Sequence, residues 1–141
     1  FISRAKIFDH YVARFLAAHP DGIVLDLGAG LSTACERQQV AAARWICVDL
    51  PAVNALRRRV IPRHRHRRLV SASLEVPGWL AKAALPDAPT LVIAEGLMPY
   101  LHADAIGALL RDLADGLNGR PAELVYDAFS FLMVGTARYH P

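Results

Sequence analysis

Residues 23–33, "IVLDLGAGLST", constrain the fold of this chain more than any other stretch. A short apolar run opens on β-branched Ile23 and Val24 and breaks at Gly28. Gly28 and Gly30 permit a tight turn, and a helix opens near Ser32 or Thr33, where Thr33 and Glu36 have capping-box spacing. A buried strand that turns on glycine into a helix is the start of a parallel β-α-β unit.

The flanking sequence repeats that alternation. "SRAKIFDHYVARFLAAHPDG" places Ile7, Phe8, Tyr11, Val12, Phe15 and Leu16 on one helical face, with Ser3 as a cap and Pro20-Asp21-Gly22 as a stop. "RWICVDLP" (44–51) reads as a second strand, with Pro51 in the first turn of the helix after it and Pro62 ending that helix. "RLVSASLE" (68–75) is a third strand, and "PGWLAKAAL" a short helix around Trp79. "APTLVIAEGL" (88–97) is a fourth strand. Ala103, Ile106, Leu109, Leu110, Leu113 and Leu117 then share a helical face that stops at Asn118-Gly119, and "AELVYDAFS" (122–130) is a fifth strand. Strands alternating with helices predict an α/β fold: a doubly wound parallel sheet, covered on both faces. The last stretch, "FLMVGTARYHP", reads as the beginning of a further element, and a start at Phe1 points to sequence upstream.

With 141 residues, 54% of them hydrophobic and 21% charged, the chain suits one globular domain. No apolar run reaches the ~18–20 residues of a membrane span, and no signal peptide is visible, so no membrane partner is expected. Cys35 and Cys47 lie in no metal-type spacing, which predicts two free thiols in a reducing cytoplasm and no metal. "RRRVIPRHRHRR" (57–68) concentrates basic charge without an acid, whereas acidic residues outnumber basic ones over the rest of the chain. No aromatic side chains interleave with these arginines to stack bases. The expectation is a solvated helix end and loop rather than a nucleic-acid partner.

In a doubly wound sheet, ligands bind beyond the carboxyl ends of the strands, where strand order reverses. The predicted ends bring together Gly28-Ala29-Gly30, Asp49, Leu74-Glu75 and Glu95-Gly96. The glycines let the backbone approach a ligand, and the following helix aims free N–H groups at it. Asp49 follows the turn at about the 20-residue spacing at which an acid meets ribose hydroxyls. Glu75 can face an adenine amino group or the ribose, and Glu95 a cationic amino group. An acid flanked by apolar residues, as Glu95 is in "TLVIAEGLMPYL", is costly unless paired or ligand-bound. The simpler alternatives are a plain tight turn, Asp49 as a helix cap, and Glu75 as a loop acid. A dinucleotide fingerprint needs a third small residue, and here Thr33 occupies that position. A nucleoside with an amino-acid tail, such as S-adenosyl-L-methionine, needs only the short turn and the acids.

"VLDLGAGLST", "WICVDLP", "LE" followed by Trp79, and "AEGLMPYL" together resemble the leucine carboxyl methyltransferase family, which includes bacterial O-methyltransferases of polyketide biosynthesis. The resemblance runs from Arg4 to about Phe129. It implies a class I methyltransferase (Rossmann-like) fold that here lacks its last two strands, with S-adenosyl-L-methionine as methyl donor. It also implies roles for individual residues. Arg4 meets the donor carboxylate, Gly28, Ala29 and Gly30 form the turn, and Asp49 holds the ribose, with Leu50 beside it among the donor-binding residues. Leu74 and Glu75 lie near adenine, and Glu95 and Gly96 near the methionine amino group. Tyr100 matches a family tyrosine. The family pattern reads "GLDTR" where this chain has "GLSTA", so Ser32 replaces Asp and Ala34 replaces Arg. The implied reaction is methyl transfer to a carboxylate or hydroxyl of a small molecule or peptide. The weighed alternatives are a non-catalytic nucleoside-binding remnant and an NAD-dependent oxidoreductase. His102 is a possible base if the acceptor is a hydroxyl, though a helix-start histidine explains it more simply, and no catalytic residue is assigned.

Overall fold

The computed structural model describes residues 2–38 and 44–128. The alternation expected from the sequence is present within them. In chain order the elements are α1 (Ile2–Ala18), β1 (Ile23–Leu27), α2 (Ala34–Arg37), β2 (Arg44–Asp49), α3 (Pro51–Val60) and β3 (Arg67–Ser71). They continue with α4 (Trp79–Ala83), β4 (Thr90–Ala94), a 3-10 turn (Met98–Tyr100), α5 (Ala103–Gly116) and β5 (Ala122–Tyr126). All strand pairs are parallel, in the order β3-β2-β1-β4-β5. The chain moves outward from β1 to β3 and then returns to the other side of β1, so β1 and β4 flank the switch point of a doubly wound sheet.

The pleat sorts the core into two layers. Ile23, Leu25 and Leu27 of β1 join Ile46, Val48, Val92 and Ala94 on one face, under Trp79 of α4 and Leu109, Leu113 and Leu117 of the α5 segment. Val24, Trp45, Cys47, Leu91 and Ile93 point the other way, against Phe8, Val12, Phe15 and Leu16 of α1 and Ala34 and Cys35 of α2. Both faces of the central strands are dry, which explains why they read as continuous apolar runs. Asp26 is the exception on β1. It is 4% exposed, accepts a hydrogen bond from Trp45 Nε1 at 3.2 Å, and burial pushes its pKa up to about 7.

Several boundaries differ from the sequence reading. Ser3 lies inside α1 rather than capping it. The Thr33–Glu36 capping box does not form: the Glu36 carboxylate pairs with Arg67, a charged partner that outcompetes a backbone N–H. Ser32 Oγ instead accepts from Ala34 N at 3.2 Å. β2 ends at Asp49 as expected, and the other strands end earlier. After β3, Ser73 Oγ accepts from Glu75 N at 3.3 Å, a serine turn that bends Leu74 and Glu75 out of the ladder. α5 stops at Gly116, and Leu110, at 41% exposure, leaves the buried stripe. The stretch "FLMVGTARYHP" and the last two residues of the expected fifth strand lie outside the described residues. No described helix is long and apolar enough to cross a membrane.

Candidate functional site

The turn after β1 is built on left-handed glycines, Gly28 at φ +63° and Gly30 at φ +49°. At Gly28 a Cβ would also lie 2.9 Å from Leu97 Cδ1, so that leucine side chain would have to shift. Gly28 N still donates to Val48 O at 2.9 Å, so pairing with β2 continues one residue past the strand. The Asp49 carboxylate sits at the end of β2 and accepts from Gly30 N at 2.7 Å and from Leu50 N at 2.7 Å. One oxygen therefore anchors the glycine turn and the other the start of α3. Each keeps lone-pair capacity for another donor. Helix capping, the simpler explanation of Asp49, does not hold: Leu50 is the N-cap of α3, with no side-chain cap bond, and Asp49 bonds only the N–H of that residue.

These residues open onto a cleft of about 210 Å³. Gly28, Asp49, Leu50, Leu74 and Glu75 line it together with Leu97, Tyr100 and Leu101. Ala29 and Gly30 lie in the turn below. Glu75 is exposed at the rim, as is Tyr100 at 86% exposure. Apolar walls with a few convergent polar groups suit a small organic ligand.

Arg4, Glu95 and Gly96 form a second cluster, at the end of β4. Arg4 Nε donates to Glu95 Oε1 at 3.0 Å and Arg4 Nη1 to Asp127 Oδ2 at 3.1 Å. Asp127 Oδ1 accepts from Gly96 N at 2.6 Å. Gly96 has φ +70°, and a Cβ there would approach Arg4 Nη2 to 3.3 Å. The acid in an apolar stretch is thus paired, as the cost of burying a lone charge requires. His102 stands exposed at the start of α5 and makes no side-chain cap bond.

Sequence reasoning missed three groups. Asp127 repeats the pattern of an acid just past a strand end, and "VYDAF" carried that signal. Asn54 is fully buried, with Nδ2 on Val70 O at 2.9 Å, Ser71 Oγ at 3.2 Å and Asp49 O at 3.3 Å. Arg57 was hidden among seven arginines and is also buried. Of the remaining six, Arg67 pairs with Glu36 and Arg68 donates to Ala83 O, whereas Arg58, Arg59, Arg63 and Arg65 are exposed, as expected of a solvated helix end and loop.

The fold has counterparts among known proteins. Human N-acetylserotonin methyltransferase, solved in complex with S-adenosylmethionine, superposes with a TM-score of 0.58 at 16% identity, over 74% of this chain and 28% of that one. The N-methyltransferase NodS of Bradyrhizobium japonicum gives a TM-score of 0.61 at 13% identity, over 97% and 74%. At such identities the likeness establishes the class I methyltransferase fold. In sequence, the tetracenomycin polyketide synthesis O-methyltransferase TcmP of Streptomyces glaucescens is 42% identical over 100 residues, 70% of this chain and 37% of that protein. The S-adenosyl-L-methionine-dependent methyltransferase dpfgK of Gibberella zeae is 31% identical over 139 residues, 89% of this chain and 46% of that one. The chain spans less than half the length of either relative. The sequence profile of leucine carboxyl methyltransferases matches residues 1–114, which hold the glycine turn, Asp49, Glu75 and Glu95. The chain belongs to the leucine carboxyl methyltransferase family.

Proposed function

We propose that this chain forms the donor-binding part of an S-adenosyl-L-methionine-dependent O-methyltransferase. The observation that carries this reading is the Asp49 carboxylate, held between the glycine turn and α3 and facing a cleft walled by Leu50 and Leu74. An acid so placed accepts paired ribose hydroxyls. Leu50 and Leu74 can flank the base and Glu75 its amino group. The Arg4–Glu95 pair matches an amino-acid tail, Arg4 taking its carboxylate and Glu95 its ammonium. Gly28, Ala29, Gly30 and Gly96 allow close backbone approach.

The donor supplies an electrophilic methyl group on a sulfonium. The protein's part is to hold, orient and dry the reacting centre. Leu97 and Leu101 contribute apolar lining to the cleft. A carboxylate acceptor is already ionised at neutral pH and needs no general base; a hydroxyl acceptor needs one. The acceptor is a small molecule or peptide, and the name of TcmP, a polyketide-synthesis O-methyltransferase, supports the small molecule. Acceptor contacts then fall largely to the part of the family's length that this chain does not span. As an edge strand among the described residues, with Tyr126 exposed, β5 supports a sheet that continues past it by the two remaining strands. Free, buried Cys35 and Cys47 support a reducing compartment, the cytoplasm.

Calorimetry with S-adenosylhomocysteine and with NAD tests the reading. Binding of the first and not the second is expected; the reverse overturns it. Methyl transfer by the isolated chain would remove the alternative of a non-catalytic remnant.

A further inference from the structure

Arg57 projects from α3 beneath the glycine turn and is 1% exposed. Its Nη1 donates to Ala29 O at 3.1 Å and Gly30 O at 2.7 Å, and its Nη2 to Ser32 O at 2.6 Å. One planar guanidinium thus holds three carbonyls within four residues of chain. A buried cation is costly unless its hydrogen bonds are made, and a flexible glycine turn is costly to order. The carbonyls satisfy both Nη groups and order the turn, and Nε alone is left buried without a hydrogen-bond partner among the described residues. The carbonyls are drawn toward α3, and across a trans peptide the N–H points the opposite way from the carbonyl. Gly30 N is left aimed at Asp49 Oδ2, and Ser32 N closes the turn on Ala29 O at 3.0 Å.

Three residues earlier on the same helix, Asn54 ties the carbonyls of Asp49 and Val70. Residues at i and i+3 share one helical face. This polar seam of α3 therefore fastens the turn after β1 and the carboxyl ends of β2 and β3 to a single element.

We propose that Arg57 is a positioning residue for the donor: by clamping the Ala29–Ser32 carbonyls it presets the turn and the Asp49 carboxylate in their ligand-accepting arrangement. The proposal rests on the donor-site reading. Lysine is not an equivalent, because a point ammonium cannot span three carbonyls as a planar fork does.

The test uses the full chain and its Arg57→Lys and Arg57→Met variants, with Arg58→Ala, an exposed neighbour, as control. Amide hydrogen exchange at Gly30 and Ser32 is read beside calorimetric binding of S-adenosylhomocysteine. In both Arg57 variants those two amides should exchange about tenfold faster or more, and affinity should fall by a similar factor; Arg58→Ala should change neither. Faster exchange with undiminished affinity overturns the positioning role. Unchanged exchange in a folded variant overturns the clamp itself. Should both variants fail to fold, the unmodified chain decides: resolved, exchange-protected Arg57 Hη resonances are expected, and averaged ones overturn the proposal. Absence of S-adenosylhomocysteine binding by the unmodified chain would remove the donor reading, and the positioning role with it. The Hη and amide signals would still report whether the clamp exists.

Discussion

At the scale of single residues, two carboxylates in neighbouring strands have opposite tasks, set by their surroundings. Asp49 faces the cleft, with backbone N–H groups on both oxygens. Replacing it by alanine removes a charged acceptor for two hydroxyls, each worth about 1.5–3 kcal/mol. Asp49→Ala should therefore weaken S-adenosylhomocysteine binding by about a hundredfold or more, and a calorimetric titration showing unchanged affinity would count against the ribose role. Asp26 is sealed in the core, where burial raises its pKa to about 7. A carboxyl whose folded pKa lies above its unfolded value of 3.8 binds its proton more tightly when folded. Its favourable contribution is complete below pH ~4 and is lost as pH rises through ~7. Asp26→Asn keeps an acceptor for Trp45 and cannot ionise. Its stability advantage in urea melts should grow from pH 4 to 7, reach ~2–4 kcal/mol and then level off. Parallel stability profiles for the two proteins would show that Asp26 does not titrate in this way. Asp49 was legible in the sequence because spacing from the glycines marked it. Asp26 was not, since an acid inside "IVLDLG" gives no hint that a tryptophan on the next strand will meet it.

At the scale of elements, hydrophobic period was the reliable guide and element ends were not. The five strands and the five helices lie where alternation and helical spacing put them. Ends moved where side chains competed for the backbone: Ser73 turned the chain after β3, and Arg67 took Glu36 from the start of α2. α3 was the element least legible in advance, because its two buried residues are polar and its arginines look alike in sequence. α5 separates packing from pattern most simply. Leu109 is fully buried and Leu110 is 41% exposed, although both fit the apolar spacing. Leu109→Ala should cost about 2–5 kcal/mol in denaturant unfolding, and Leu110→Ala less than about 1 kcal/mol. Equal losses at the two positions would mean that Leu110 belongs to the core after all.

For the whole molecule, the site is a consequence of topology. Winding outward to β3 and back to β4 gathers the segments after β1, β2 and β3 around one cleft, with the Arg4–Glu95–Asp127 cluster at the ends of β4 and β5. The members contributed by β1 to β4 were legible because each sits just past a strand end. The bracing from α3 was not, because it depends on three-dimensional contact between a helix and a turn 25 to 28 residues away. If the two clusters together receive one ligand, a single titration should perturb both. The most direct measurement is a ¹H–¹⁵N spectrum of the full chain titrated with S-adenosylhomocysteine. Concerted shifts of the Gly28, Gly30, Asp49, Glu75 and Gly96 amides are predicted. Saturating ligand that leaves these five signals unmoved, or moves only signals elsewhere, would contradict the account.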